Sequence, residues 1–231
     1  MQGLTPPMPA ATASGTTGGG GRALDCRSLW KAGAYEASAA PNRDFFQAIA
    51  ELLDNAVDEI TNGATFIKVD KSINLKDNSL MLVFQDDGGG MDPEGLRRCM
   101  SLGFSTKKSN STIGQYGNGF KTGTMRLGSD AIVFTRANHG SDVTLSIGLL
   151  SYTFLRRTMK DDIVAPMLDF QIQDGDIVPL LYGSQGDWDG SLKIMLDWSP
   201  FSSEEELLEQ AFPRLAARIL FIGKVLFPAW L

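Results

Sequence analysis

The sequence predicts an α+β sandwich, one sheet with helices laid on one face. Three observations carry this reading: an amphipathic helix over AIAELLDNAVDEI (Ala48 to Ile60), a strand pair flanking a short turn just after it, and a hairpin that follows two glycine-preceded helices.

Taking the elements in order, the first helix places Ile49, Leu53, Ala56, Val57 and Ile60 on one arc at ~100° per residue. Glu51, Asp54, Asn55, Asp58 and Glu59 fall on the opposite arc. That arc has two readings, a solvated face or a face awaiting a cation. No Lys or Arg occurs between Asp44 and Ile67 to pair with it at helical spacing. ATFIKVD and SLMLVFQ are rich in branched and aromatic residues and flank the turn-forming NLKDN, so they read as adjacent strands. DPEGLRRCMSLG opens a short helix with Asp92 as N-cap and Pro93 in its first turn. A polar stretch leads to a second helix, FKTGTMRLG, which Gly128 stops. DAIVFTRA and DVTLSIGLLSY form a hairpin around NHGS, GSLKIML reads as a later strand, and Ser202 with Glu205 forms a capping box opening SSEEELLEQAF.

The chain has 231 residues, 43% of them hydrophobic, enough to bury one substantial core. Residues 1–27 read as a disordered Gly/Thr/Ala/Pro-rich N-terminus, 28–210 as one domain, and 211–231 as an apolar tail. Two cysteines, Cys26 and Cys99, are too few for a disulfide framework, and they lack partners at metal spacing. The sole histidine, His139, falls in the hairpin turn, which argues against zinc. A net charge of -6 argues against a freestanding nucleic-acid-binding module. No apolar run reaches membrane-spanning length, so no membrane partner is expected.

Chemistry concentrates in three stretches. The first is the acidic helix. The second is FQDDGGGM, where a strand ends in Asp86 and Asp87 and runs into three glycines. It reads either as a plain tight turn or as a place where a flat ligand approaches bare backbone beside a carboxylate. The third is IGQYGNGFKTG, with Gly114, Gly117 and Gly119 before a helix whose N-terminal amides and dipole attract anions. Between Gly95 and Ser129 there is no acid, while Arg97, Arg98, Lys107, Lys108, Lys121 and Arg126 are all present. An acid-only helix facing a base-only glycine loop suits a metal-bound polyphosphate.

Together the stretches resemble the GHKL ATPase superfamily, which includes DNA gyrase, mismatch-repair ATPases, heat-shock chaperones and histidine kinases. ELLDNAVDE looks like its N-box, DDGGGM its first glycine box and GQYGNGFKTG its second. The resemblance narrows to the plant microrchidia (MORC) ATPase domain over roughly Ala48 to Gln210, through NGATFIKVDK, SIGLLSYTFLR and LDWSPFSSEEELLEQ as well. It implies the GHKL (Bergerat) ATP-binding fold, a two-layer sandwich with a mixed sheet, and ATP and Mg²⁺ as cofactors. It implies Glu51 as general base, Asn55 as the Mg²⁺ ligand, and Asp86 on the adenine amino group with Gly88 and Gly90 giving access. Gly114, Gly117, Gly119, Lys121 and Lys107 would meet the phosphates, Asp87 would stabilise its turn, and Phe120 would join the core. Slow hydrolysis, ATP-dependent homo- or heterodimerisation with family members, and nuclear work on chromatin in silencing or defence are further implications, nucleic-acid contacts being made by parts beyond this chain.

Two departures stand out. RSLWKAGAYEASAAPNRDFFQ does not align with the family's dimer arm. After SSEEELLEQ the family continues into a strand of the form GTKVIIYNLW, whose Thr supports the adenine-binding Asp, and then into a domain giving a lysine to the γ-phosphate. This chain has AFPRLAARILFIGKVLFPAWL instead. The expectation is an incomplete fold with an unpaired sheet edge and a self-associating tail, and a non-catalytic interaction module stays open beside the ATPase.

Overall fold

A computed structural model describes residues 23–25, 41–100, 119–139, 142–158, 162–211 and 217–222. In chain order the elements are β1 (Ala23–Asp25), α1 (Pro41–Asp58) with a 3-10 turn (Glu59–Asn62), β2 (Ile67–Ile73), β3 (Leu80–Asp86), α2 (Pro93–Met100) and α3 (Gly119–Leu127). They continue with β4 (Asp130–His139), β5 (Asp142–Ser151), α4 (Tyr152–Thr158), β6 (Asp162–Val164), β7 (Met167–Gln173), β8 (Asp176–Pro179), α5 (Gln185–Trp198), α6 (Glu204–Ala211) and β9 (Ala217–Ile222). Seven strands form one sheet in the order β2-β3-β9-β4-β5-β7-β8, and β1 pairs with β6 apart from it. The α+β class holds. All described pairings are antiparallel, where a mixed sheet was expected.

The expected open edge is filled. β9, from within the apolar tail, lies between β3 and β4 and pairs with both, from Leu82↔Phe221 to Asp86↔Ala217 and from Asp130↔Ile222 to Thr135↔Ala217. The segment ARILFI therefore joins the two halves of the sheet, and the expectation of an unpaired edge there is overturned. Likewise, residues 23–25 sit in a strand although 1–27 read as disordered.

Helices cover both faces of the sheet, where one covered face was expected, because the strands carry apolar residues on both sides. Successive strand residues point to opposite sides. Leu82 and Phe84 of β3 and Ala131 of β4 join Phe45, Ala48 and Leu52 of α1 and Leu127 of α3. Their neighbours Met81, Val83, Ile132 and Phe134 join Trp188 and Met195 of α5 and Leu207 of α6. Burying each large apolar side chain contributes about 1.5–3 kcal/mol. The helix face of α1 differs from the expected arc: Phe45, Ala48, Leu52 and Ala56 are buried, whereas Val57 and Ile60 are 48% and 61% exposed. The helix turns its small residues inward because α3 lies close against it.

GSLKIML is helical, not a strand. Upstream, Ser184 and Asp187 form a capping box, with Asp187 N donating to Ser184 Oγ at 3.2 Å and Ser184 N donating to Asp187 Oδ2 at 2.9 Å. Trp188, Ser191 and Met195 are then buried at helical spacing. The cap of α6 is also one residue later than expected: Glu206 N donates to Ser203 Oγ at 3.2 Å, and Glu206 Oε2 accepts from Ser202 N at 2.6 Å. Where sequence signals were local, the elements stand as read, including the β4–β5 hairpin and the stop after α3, where Gly128 N donates to the Thr124 carbonyl at 3.1 Å.

Two clamps fix α2 and α5. Arg97 of α2 pairs with the buried Asp169 carboxylate of β7, which also accepts from Ser146 Oγ at 2.6 Å. Lys76, in the β2–β3 turn, donates to the carbonyls of Leu196, Ser199 and Phe201 at 2.6, 2.8 and 2.7 Å. One ammonium thus uses all three of its donors on the end of α5. Because Lys76 stays largely exposed, Lys76→Met is expected to cost only about 1–2 kcal/mol, read as a lowered urea midpoint with an unchanged slope.

Candidate nucleotide-binding site

The site forms where α1 meets the two glycine-bearing elements. Glu51, Asn55 and Glu59 follow one another at intervals of four, so they form one stripe along α1 and its 3-10 extension. All three side chains are half-buried.

At one end of the stripe lies the β3 exit loop. A Cβ on Gly88 would stand 2.7 Å from Glu59 Cβ, and one on Gly89 3.2 Å from Asn62 Cβ, so only glycine lets this loop lie against the turn. Gly89 N donates to Glu59 Oε2 at 3.3 Å, and Asn62 Nδ2 donates to the same oxygen at 3.0 Å. Gly90 takes the left-handed conformation, φ +68°. Met91 N then donates to Thr135 Oγ1 at 2.6 Å, and the Thr135 hydroxyl returns a bond to the Met91 carbonyl at 3.2 Å, which ties the loop to β4. Asp92 caps α2, accepting from Gly95 N at 2.6 Å.

The two adjacent aspartates diverge in role. Asp87 accepts from Thr65 N at 2.7 Å, Thr65 Oγ1 at 2.5 Å and Phe66 N at 3.0 Å, and these bonds hold its carboxyl below the usual carboxylate range. It staples the entrance of β2. Asp86 accepts from Gly88 N at 3.0 Å, yet burial pushes its carboxyl up, with the nearby Glu59 and Asp87 charges adding to the effect. A half-buried acceptor at the end of a strand suits a ligand that brings its own donor.

At the other end of the stripe lies α3. A Cβ on Gly123 would be 3.2 Å from Glu51 Oε2 and 3.6 Å from the Ala48 carbonyl, so the two helices touch backbone to backbone there. Arg126 Nη1 stands 3.8 Å from Glu51 Oε1. Phe120 packs between the clusters of α1 and α2, a core position. Gly119 opens α3 and Lys121 lies in its first turn, while Gly114, Gly117 and Lys107 lie outside the described residues.

The fold thus brings Glu51, Asn55, Asp86 and Gly88 onto one framework. Sequence reasoning missed Glu59 as the seat of the glycine loop, Thr135 as its tether, and Gly123 and Arg126 as the partners of Glu51. Arg126 was visible only as part of a base-only stretch.

A profile described as "Histidine kinase-, DNA gyrase B-, and HSP90-like ATPase" matches residues 43–172, more than half of the chain. The chain belongs to this ATPase family. Within it, the chain is 57% identical to Protein MICRORCHIDIA 2 of Arabidopsis thaliana over 81% of its own length and 34% of the relative's. It is 62% identical to Protein MICRORCHIDIA 3 of the same plant, over 81% of its length and 32% of that protein's. MORC family CW-type zinc finger protein 3 of Mus musculus is 38% identical over 71% of this chain and 16% of the mouse protein. The chain spans about a third of the length of these plant relatives. For a GHKL domain nucleotide binding is the coarse expectation.

Two expected outcomes follow from the loop geometry. The folded-state pKa of Asp86 is raised above its unfolded value, so stability is highest with the carboxyl protonated and falls as pH rises through the folded pKa. Asp86→Asn is therefore expected to leave the ligand-free melting temperature at pH 7 unchanged or raised, to flatten its fall through the acid range, and to weaken an ATP analogue about tenfold or more. Calorimetric titration alongside thermal melts at several pH values checks both halves.

Proposed function

We propose that this chain is the ATPase domain of a microrchidia-type protein: it binds Mg·ATP, hydrolyses it slowly, and dimerises with itself or a family member when ATP is bound. The observation that carries the reading is the Glu51, Asn55, Glu59 stripe, which runs from α3 to the glycine loop beside Asp86. Asp86 would accept from the adenine amino group, and Gly88 and Gly90 would let the ring approach. Gly114, Gly117, Gly119, Lys121 and Lys107 take the phosphate-contacting roles that the second glycine box implies.

The residues present fit a magnesium ion. Asn55 offers a neutral hard oxygen on a half-buried helix face, and Mg²⁺ typically takes few protein ligands and completes its shell with phosphate oxygens and water. When bound, the metal would neutralise charge developing on the transferred phosphoryl group. Glu51, one turn from Asn55, would take the proton of the attacking water. The family resemblance of the sequence further implies that the domain would serve a nuclear protein acting on chromatin in gene silencing or defence.

A second reading, nucleotide binding without productive turnover in an interaction module, draws support from one feature: the residue opposite Asp86 in the register, Ala217, carries no hydroxyl. The deciding experiment titrates a non-hydrolysable ATP analogue with and without Mg²⁺, then follows single-turnover hydrolysis and sedimentation of the analogue-bound protein. Asn55→Ala is expected to abolish the Mg²⁺-dependent part of the affinity; an equal magnesium effect in mutant and wild type removes Asn55 from the metal. Tight binding without turnover selects the second reading.

A further inference from the structure

Helix α3 presents two residues, three apart, to Glu51. Gly123 supplies bare backbone against which the carboxylate lies, its would-be Cβ only 3.2 Å from Oε2. Arg126 supplies charge: its side chain is 8% exposed and that of Glu51 27%, with Nη1 3.8 Å from Oε1. Arginine does not shed its proton in proteins, so the guanidinium is a fixed charge beside the carboxylate. At 3.8 Å the pair attracts beyond hydrogen-bonding distance, so this nitrogen orients the carboxylate without occupying a lone pair on it. Asn55 is one turn along the same helix, on the side of the glycine loop.

We infer that Arg126 is a positioning residue for hydrolysis: with Gly123 behind the carboxylate, it holds Glu51 turned toward the attacking water. The inference rests on the reading of Glu51 as general base. Arg126 acts only through Glu51 and takes no part in holding the nucleotide, which separates it from a residue that merely supports the fold or the ligand. The guanidinium fork matters as well as the charge, because a lysine ammonium on a flexible stem fixes direction less well.

The test compares single-turnover ATP hydrolysis with Mg²⁺, analogue affinity and melting temperature in wild type, Arg126→Met, Arg126→Lys, Glu51→Gln and the Glu51→Gln/Arg126→Met double variant. Arg126→Met is expected to slow hydrolysis about tenfold or more while analogue affinity stays within about twofold, and Arg126→Lys to fall between it and wild type. In the Glu51→Gln background, Arg126→Met is expected to add no further loss, the signature of action through one group. A wild-type rate in Arg126→Met, or an added loss in the double variant, overturns the inference. Should Arg126→Met fail to fold, Arg126→Lys decides: slower hydrolysis at unchanged affinity supports the inference, and weakened affinity at an unchanged rate overturns it. If Glu51→Gln turns over like wild type, or wild type does not turn over at all, it is the general-base reading that fails, and the inference falls with it.

Discussion

The central strand is the constraint on which the rest depends. Without β9 the seven-stranded sheet would divide into a β2–β3 ribbon and a β4-β5-β7-β8 sheet, since β3 and β4 are joined only through it. The candidate site straddles that seam. Asp86 ends β3 on one side, Thr135 sits on β4 on the other, and both are in register with Ala217. The glycine loop leaves β3, touches the end of α1 and is tied by Met91 to Thr135, so it bridges the same two strands at the surface that β9 bridges within the sheet. Misplacing the strand by one residue would reverse its faces and move the partner of Asp86.

Around this seam, α1 acts as the spine of the site. Where Gly123 of α3 approaches, the buried residue of α1 is the small Ala48, and where the helix meets the sheet its residues are larger, Phe45 and Leu52. Close helix contact is what makes Glu51 half-buried rather than solvated. The same helix then offers Glu59 to the glycine loop, so one element sets the distance between the two ends of the site.

What could be read from the sequence was whatever is encoded within a few residues. Asp92 and Pro93 announce α2, NHGS announces the hairpin, and the first two boxes mark Glu51, Asn55 and Asp86 as candidates, which the fold places near one another. GSLKIML misleads because Leu192, Ile194 and Leu196 alternate like a strand, while the deciding signal, the Ser184–Asp187 cap, lies upstream of the quoted run. The buried face of α1 was misjudged because its burial is set by α3, an element some 70 residues later, and small residues weigh little in a hydrophobic periodicity. β9 could not be placed because its partners are distant in sequence and its residues do not match the motif that fills that position in the family. Arg126, Thr135 and Gly123 acquire their roles only through tertiary contact, and no local pattern marks them.

The position of β9 in chain order bears on how the molecule is made. Its partners in β3 emerge from the ribosome more than a hundred residues earlier, and those in β4 about eighty. Until the last strand arrives, two half-sheets must wait with backbone donors and acceptors and apolar faces exposed along the seam. Such long-range closure is intrinsically slow and leaves an interval vulnerable to aggregation. The candidate site, lying over the same seam, is not assembled on the nascent chain before that insertion. Assembly of the site and closure of this sheet are therefore a single event, and a ligand that recognises the finished loop would act as a latch on it.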